Sequence, residues 1–194
     1  TVMAWFWLPE TVHRGSAVAV APWRALPDVL GRRRLRPLLA ADFAYWCTFA
    51  VCTTTFALFS SRRFGFNVTQ TGYVLAAFGM LGVIVQAGLV GLVVRMVGVL
   101  PTFLTGLVIA SVGWGIVALS ASVPIFLFAL IPAGVGVGLC NASIVTLVSH
   151  SGSKDEQGTV QGAAGALESL GRAIGPVWGH GTLQRFGEGS AYAS

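Results

Sequence analysis

Residues 71–94 read TGYVLAAFGMLGVIVQAGLVGLVV, 24 consecutive positions without a charged side chain. A helix of about 20 such residues crosses the roughly 30 Å hydrocarbon core of a bilayer. Lipid offers no partner for open backbone groups, so a lone spanning segment must be helical. A barrel strand would alternate apolar and polar residues over about ten positions, and this block does not alternate. Four further blocks read the same way, at about 38–60, 100–120, 124–148 and 160–180, joined by short connectors. The sequence therefore predicts an all-α membrane protein with five transmembrane helices.

Composition agrees. Of 194 residues, 55% are hydrophobic and only 10% charged, with a mean hydropathy of +0.76. A soluble domain carries about a quarter charged residues, so a cytosolic enzyme is excluded. The 25 glycines follow no collagen period, and Cys47, Cys52 and Cys140 lie inside apolar blocks without metal-ligand spacing. They read as small packing residues, and neither a metal site nor a cofactor is expected.

The net charge of +5 does not indicate a nucleic-acid partner. Six of the twelve basic residues, Arg14, Arg24, Arg32, Arg33, Arg34 and Arg36, precede the first long apolar block. Beside a span, such a cluster marks the cytoplasmic face and anionic lipid. Placing segment 10–37 inside gives the inner connectors those six plus Arg95 and Lys154, eight in all, against Arg62, Arg63 and Arg185 outside. Segment 10–37 is therefore expected to be cytoplasmic. Val2 to Leu8 is apolar and Trp-rich without a basic start, so residues 1–9 read as the end of a preceding transmembrane helix. The final Gly189 to Ser194 stretch has no polar tail, and the chain reads as a fragment of a longer protein.

Within the spans, Gly134 and Gly138 form a small-xxx-small face suited to close helix packing. Gly134, Gly136 and Gly138 are no nucleotide fingerprint, which needs a preceding strand and a following acid. Pro132 and the Gly175-Pro176 pair are expected to kink their helices. Charge at membrane depth is costly and marks a candidate site. Glu168 and Arg172 form an i,i+4 pair in the last span, the acid about 14 Å in from Thr159. They are either a self-neutralising ion pair that locks helix packing or a group that binds substrate or ions. Gln86 and Asn141 are candidates for the same pathway, or interhelical hydrogen-bonding residues. Asp42 reads as a terminal charge near the arginine cluster. Tyr45, Trp46, Phe49, Trp114 and Trp178 either line an aromatic cavity or sit at interfaces and against lipid. His150-Ser151-Gly152-Ser153 lacks an orienting acid, and the Asn67-Val68-Thr69 sequon is a common chance match. No covalent chemistry is expected, and the chain is not read as an enzyme.

Several of these segments resemble one family. Leu8-Pro9-Glu10-Thr11 looks like the exit from the sixth helix of major facilitator superfamily transporters into their basic central loop. Phe78-Gly79, Gln86-Ala87 and Gly91 look like the eighth helix of tetracycline antiporters. Glu156 to Gly162, then Ser169-Leu170 and Gly175-Pro176, resemble the family's tenth-to-eleventh loop and eleventh helix. The resemblance covers nearly the whole chain and is nearest to the tetracycline and multidrug proton-antiporter branch. It implies that the five spans are helices seven to eleven of a twelve-helix fold, with the twelfth missing. Gly91, Arg95 and Gly98 match the frame of the family's gating loop, but Met96 and Val99 stand where arginines often occur.

The resemblance implies a secondary transporter working by alternating access in the plasma (inner) membrane. Its partners would be a small amphipathic substrate exported in exchange for protons, the lipid bilayer and a six-helix N-terminal half. An importer or uniporter of the same fold, or a non-transporting membrane scaffold, remains the alternative.

Overall fold

A computed structural model describes residues 31–33, 35–151 and 157–186. Expectations for segment 1–30, for Lys154 and Glu156, and for the 187–194 terminus lie outside those residues. Five long helices follow one another: α1 (Arg36–Phe64), α2 (Val68–Val97), α3 (Val99–Leu119), α4 (Val123–Ser149) and α5 (Gln157–Phe186). No strand occurs among the described residues. The first four are long and apolar enough to cross a membrane. Glycines, Glu168 and Arg172 dilute α5 below that apolarity, but α5 is a 30-residue helix packed lengthwise along α1.

Four of the five helices overrun the block read from sequence at both ends, and α3 is shifted from its block by one residue, because local caps rather than the edge of the apolar run decide where a helix stops. Gly65 ends α1 in the left-handed region at φ 70°, its N–H donating to the Ser61 carbonyl. Asn67 starts α2 with a capping box: its side chain accepts from the Gln70 N–H, and the Gln70 side chain accepts from the Asn67 N–H. That cap gives the asparagine of the sequon a structural role. The α2–α3 connector is one residue, Gly98, at φ 91°, because α2 continues through Val97, beyond the apolar block that ends at 94. Arg62 and Arg63 occupy the last turn of α1, where cations suit the helix dipole. Arg63 Nε also donates to the Ser120 carbonyl at 2.9 Å, tying α1 to the end of α3.

Helix α2 is interrupted by a π-helical stretch, Val85–Leu89. By contrast, α4 and α5 remain helical through Pro132 and Pro176. The π segment contains Gln86 and no proline. Such π segments often occur at functional positions.

Two helix pairs dominate the packing, α3 with α4 and α1 with α5. A Cβ on Gly136 would collide with the Ala110 backbone, and one on Gly113 with the Ala133 backbone. Gly134 and Gly138 instead seat Leu81 and Val85 of α2. The α1–α5 pair is closed by Gly171, Gly175 and Gly179, set against Phe43 and Cys47, then Cys47 and Ala50, then Val51 and Thr55. Both series rise together, so α1 and α5 run parallel. Gly175 is thus a contact position, since a Cβ there would lie 2.7 Å from the Cys47 carbonyl oxygen. At the α1 C-terminal end, Phe126 gathers Phe56, Phe59, Phe64 and Phe66 with ring centroids 4.9–6.1 Å away.

These contacts predict a sharp contrast among glycines. Gly136→Ala should lower stability by about 1–3 kcal/mol through overpacking, whereas Gly115→Ala, with nothing within 4 Å of its Cβ, should be neutral or mildly stabilising. Unfolding in detergent, followed by circular dichroism, checks the pair. Equal effects would contradict the backbone contact.

Candidate functional site

Between the two tight pairs lies a cavity of about 810 Å³. One wall comes from α1, with Tyr45, Thr48 and Phe49. The opposite wall is Phe103, Leu107 and Trp114 of α3 with Val137 of α4. Trp178 and Gly175 of α5 close the side. The volume suits a drug-sized molecule, for which sites are mostly apolar with a few placed polar groups. The Tyr45 hydroxyl donates to the Val137 carbonyl at 3.3 Å, bridging α1 and α4 across the cavity. Tyr45 and Phe49 stack with centroids 6.3 Å apart and planes 21° apart.

Four of the five aromatic candidates, Tyr45, Phe49, Trp114 and Trp178, line this cavity. Trp46 does not: it is 6% exposed and packs edge-on against Tyr45 and Phe49. Its face carries the Arg172 guanidinium, 4.1 Å from the ring centroid, a cation–π contact between α1 and α5. Arg172 Nη2 also meets Glu168 Oε1 at 2.6 Å. The i,i+4 pair read from sequence is therefore formed, and Arg172 touches a neighbouring helix as well. The pair is not deeply buried within this chain, since the Arg172 side chain is 53% exposed and Glu168 32%.

Asp42 departs from the sequence reading. It is 4% exposed, not a solvated terminal charge. It lies within electrostatic range of Trp46, one turn on, and of Glu168. Asp42, Trp46, Arg172 and Glu168 thus gather at the α1–α5 interface. The i,i+4 spacing of Asp42 and Trp46 was the available signal, but spacing alone could not show that α5 covers it.

The remaining candidates lie elsewhere. Gln86 is exposed on the π segment of α2, and Asn141 is half-buried on α4; neither lines the cavity. Gly91 and Arg95 are exposed on the last part of α2, and Gly98 forms the turn into α3. The structure does not bring these three to the cavity. No group of three or more His, Cys, Asp or Glu residues able to hold a metal occurs among the described residues.

Comparison with known proteins agrees with this architecture. The chain is 29% identical over 182 residues to the class G tetracycline resistance protein of Vibrio anguillarum, covering 91% of this chain and 46% of that protein. Its fold matches the crystal structure of the human organic anion transporter MFSD10 (TETRAN) with a TM-score of 0.78 at 20% identity, over 89% of this chain and 43% of the other. The chain therefore spans about half the length of the relatives it matches. The family profile of the Major Facilitator Superfamily matches residues 1–176. Five helices, a cavity between two backbone-packed pairs and this match lead to one conclusion: the chain belongs to the major facilitator superfamily of membrane transporters.

Proposed function

We propose that this chain supplies helices seven to eleven of a secondary transporter that exports small amphipathic organic compounds in exchange for protons. The cavity between the α1–α5 and α3–α4 pairs carries this reading. It is large enough for such a compound, and its walls are aromatic with a few hydroxyl groups. A scaffold subunit would have no use for a cavity of that size, because helix contacts alone would serve. Export rather than import is favoured by the similarity to a protein named for tetracycline resistance. In this reading the protein sits in the plasma membrane with segment 10–37 cytoplasmic. A second bundle completes the cavity, and the two bundles rock about a midplane site. Gly98, at φ 91°, turns the chain directly from α2 into α3, with Gly91 and Arg95 on the helix leading into it.

Two measurements test the reading in the full-length protein. Everted vesicles should take up an aromatic substrate when acidified inside and stop when a protonophore collapses the gradient. Uptake that ignores the gradient would instead favour a uniporter. Trp178→Ala removes an exposed cavity ring and should raise KM about tenfold, the loss expected for one aromatic contact of roughly 1.4 kcal/mol. An unchanged KM would place the substrate elsewhere.

Glu168 has a structural reading that a second set of variants separates from a coupling role. Glu168→Gln leaves Arg172 on the Trp46 face without its counter-charge and should lower folded yield. The double change Glu168→Gln with Arg172→Gln should recover much of it. Normal yield with lost proton-driven efflux in Glu168→Gln would assign Glu168 to coupling instead.

A further inference from the structure

No residue of α2 lines the cavity, yet one of its side chains touches the cavity wall. The Phe78 ring of α2 meets the Trp114 ring of α3 with centroids 5.9 Å apart and planes at 51°. Trp114 is 8% exposed and lines the cavity. Phe78 borders a separate apolar groove of about 340 Å³ between α2 and α4, with Tyr73 and Leu127. A molecule in the cavity therefore meets Trp114 and not Phe78.

Helix α4 packs against both α2 and α3, and two glycines let the rings meet past it. Gly113, beside Trp114, draws the α3 backbone onto Ala133 of α4. Gly134 follows Ala133, and a Cβ there would lie 3.4 Å from Phe78 Cε2 and 2.7 Å from Leu81 Cδ2. Phe78 thus lies against α4 where α4 has no side chain, one residue from a backbone contact with α3. An indole turns about two side-chain torsions, and packing against a second ring limits both. Both rings belong to one cluster with Phe126 and Leu130, which holds Phe78 in place.

We propose that Phe78 is a positioning residue that orients the Trp114 ring toward aromatic molecules in the cavity. Helix α2 then helps to set specificity without lining the site, and Gly134 leaves the room that the Phe78 ring needs. The inference deepens the reading of this cavity as the substrate site and rests on it. Phe78 acts only through Trp114, so removing either ring costs the same interaction once.

The test uses the full-length protein in phosphatidylcholine nanodiscs and two neutral probes of matched shape, 1-naphthalenemethanol and its saturated counterpart, decahydro-1-naphthalenemethanol. Saturable binding is measured by equilibrium dialysis, with empty nanodiscs subtracted. Phe78→Ala should weaken binding of the aromatic probe about fivefold and leave the saturated probe within about twofold. Trp114→Ala should lower the aromatic preference at least as much, and adding Phe78→Ala to it should change that preference by less than about twofold. Phe78→Tyr, which keeps the ring, should stay within about twofold of the unmodified protein. If Phe78→Ala does not fold, Phe78→Leu, which keeps apolar volume without a ring, decides in its place. An unchanged preference in either ringless variant, or a further loss of about fivefold in the double variant, would overturn the positioning role while leaving the cavity as a binding site. Equal losses for the two probes would overturn it as well, because a general loosening of the bundle does not distinguish them. Saturable binding of neither probe to the unmodified protein would overturn both readings.

Discussion

In hydrocarbon, an apolar side chain gains little by leaving lipid for protein, so helices are held where their backbones can touch. That constraint organises this chain. Helix α4 meets α3 through Gly136 and Ala133 and meets α2 through Gly134 and Gly138, while α5 lies against α1 through Gly171, Gly175 and Gly179. Each contact admits no added Cβ without a shift of its neighbour. Two pairs are thus fixed closely, and the space between them is left to larger side chains. Tyr45, Phe49, Phe103, Trp114 and Trp178 stand there and enclose a cavity rather than fill it.

The same constraint explains what could be read from the sequence. Lipid forces long apolar blocks into helices, so the number and order of the helices were legible without any partner information. Their ends were not, because Gly65, the Asn67–Gln70 box and Gly98 set them by local hydrogen bonding and backbone conformation. Helix α5 was legible despite its polarity, and its residues 157–186 overrun the 160–180 block at both ends. Gly175 illustrates the limit: beside Pro176 it suggests a bend, and the structure also packs it against Cys47. Seeing that contact requires knowing which helix lies opposite, and a single sequence does not carry that.

The candidate site was legible in part for the same reason. Glu168 and Arg172 stood out because charge in an apolar block is rare, and their i,i+4 spacing fixed their pairing. Residue type marked the aromatic residues but left them open between a cavity wall and the lipid interface. Asp42 reads from sequence as a terminal charge near the arginines, whereas the structure buries it in the second turn of α1. The distortion at Gln86 carried no signal, since no proline or glycine pair marks the start of the π segment.

On the proposed function, the space between the two helix pairs receives the transported molecule, and a native cysteine reports on it directly. Cys47 is partly accessible and lines the cavity, whereas Cys52, which borders the same cavity, and Cys140 are only 2% and 0% exposed. In the full-length protein, the rate of N-ethylmaleimide modification at Cys47 should fall several-fold at saturating substrate, with Cys52 and Cys140 slow throughout. Modification of Cys47 at the same rate with and without saturating substrate would contradict the account.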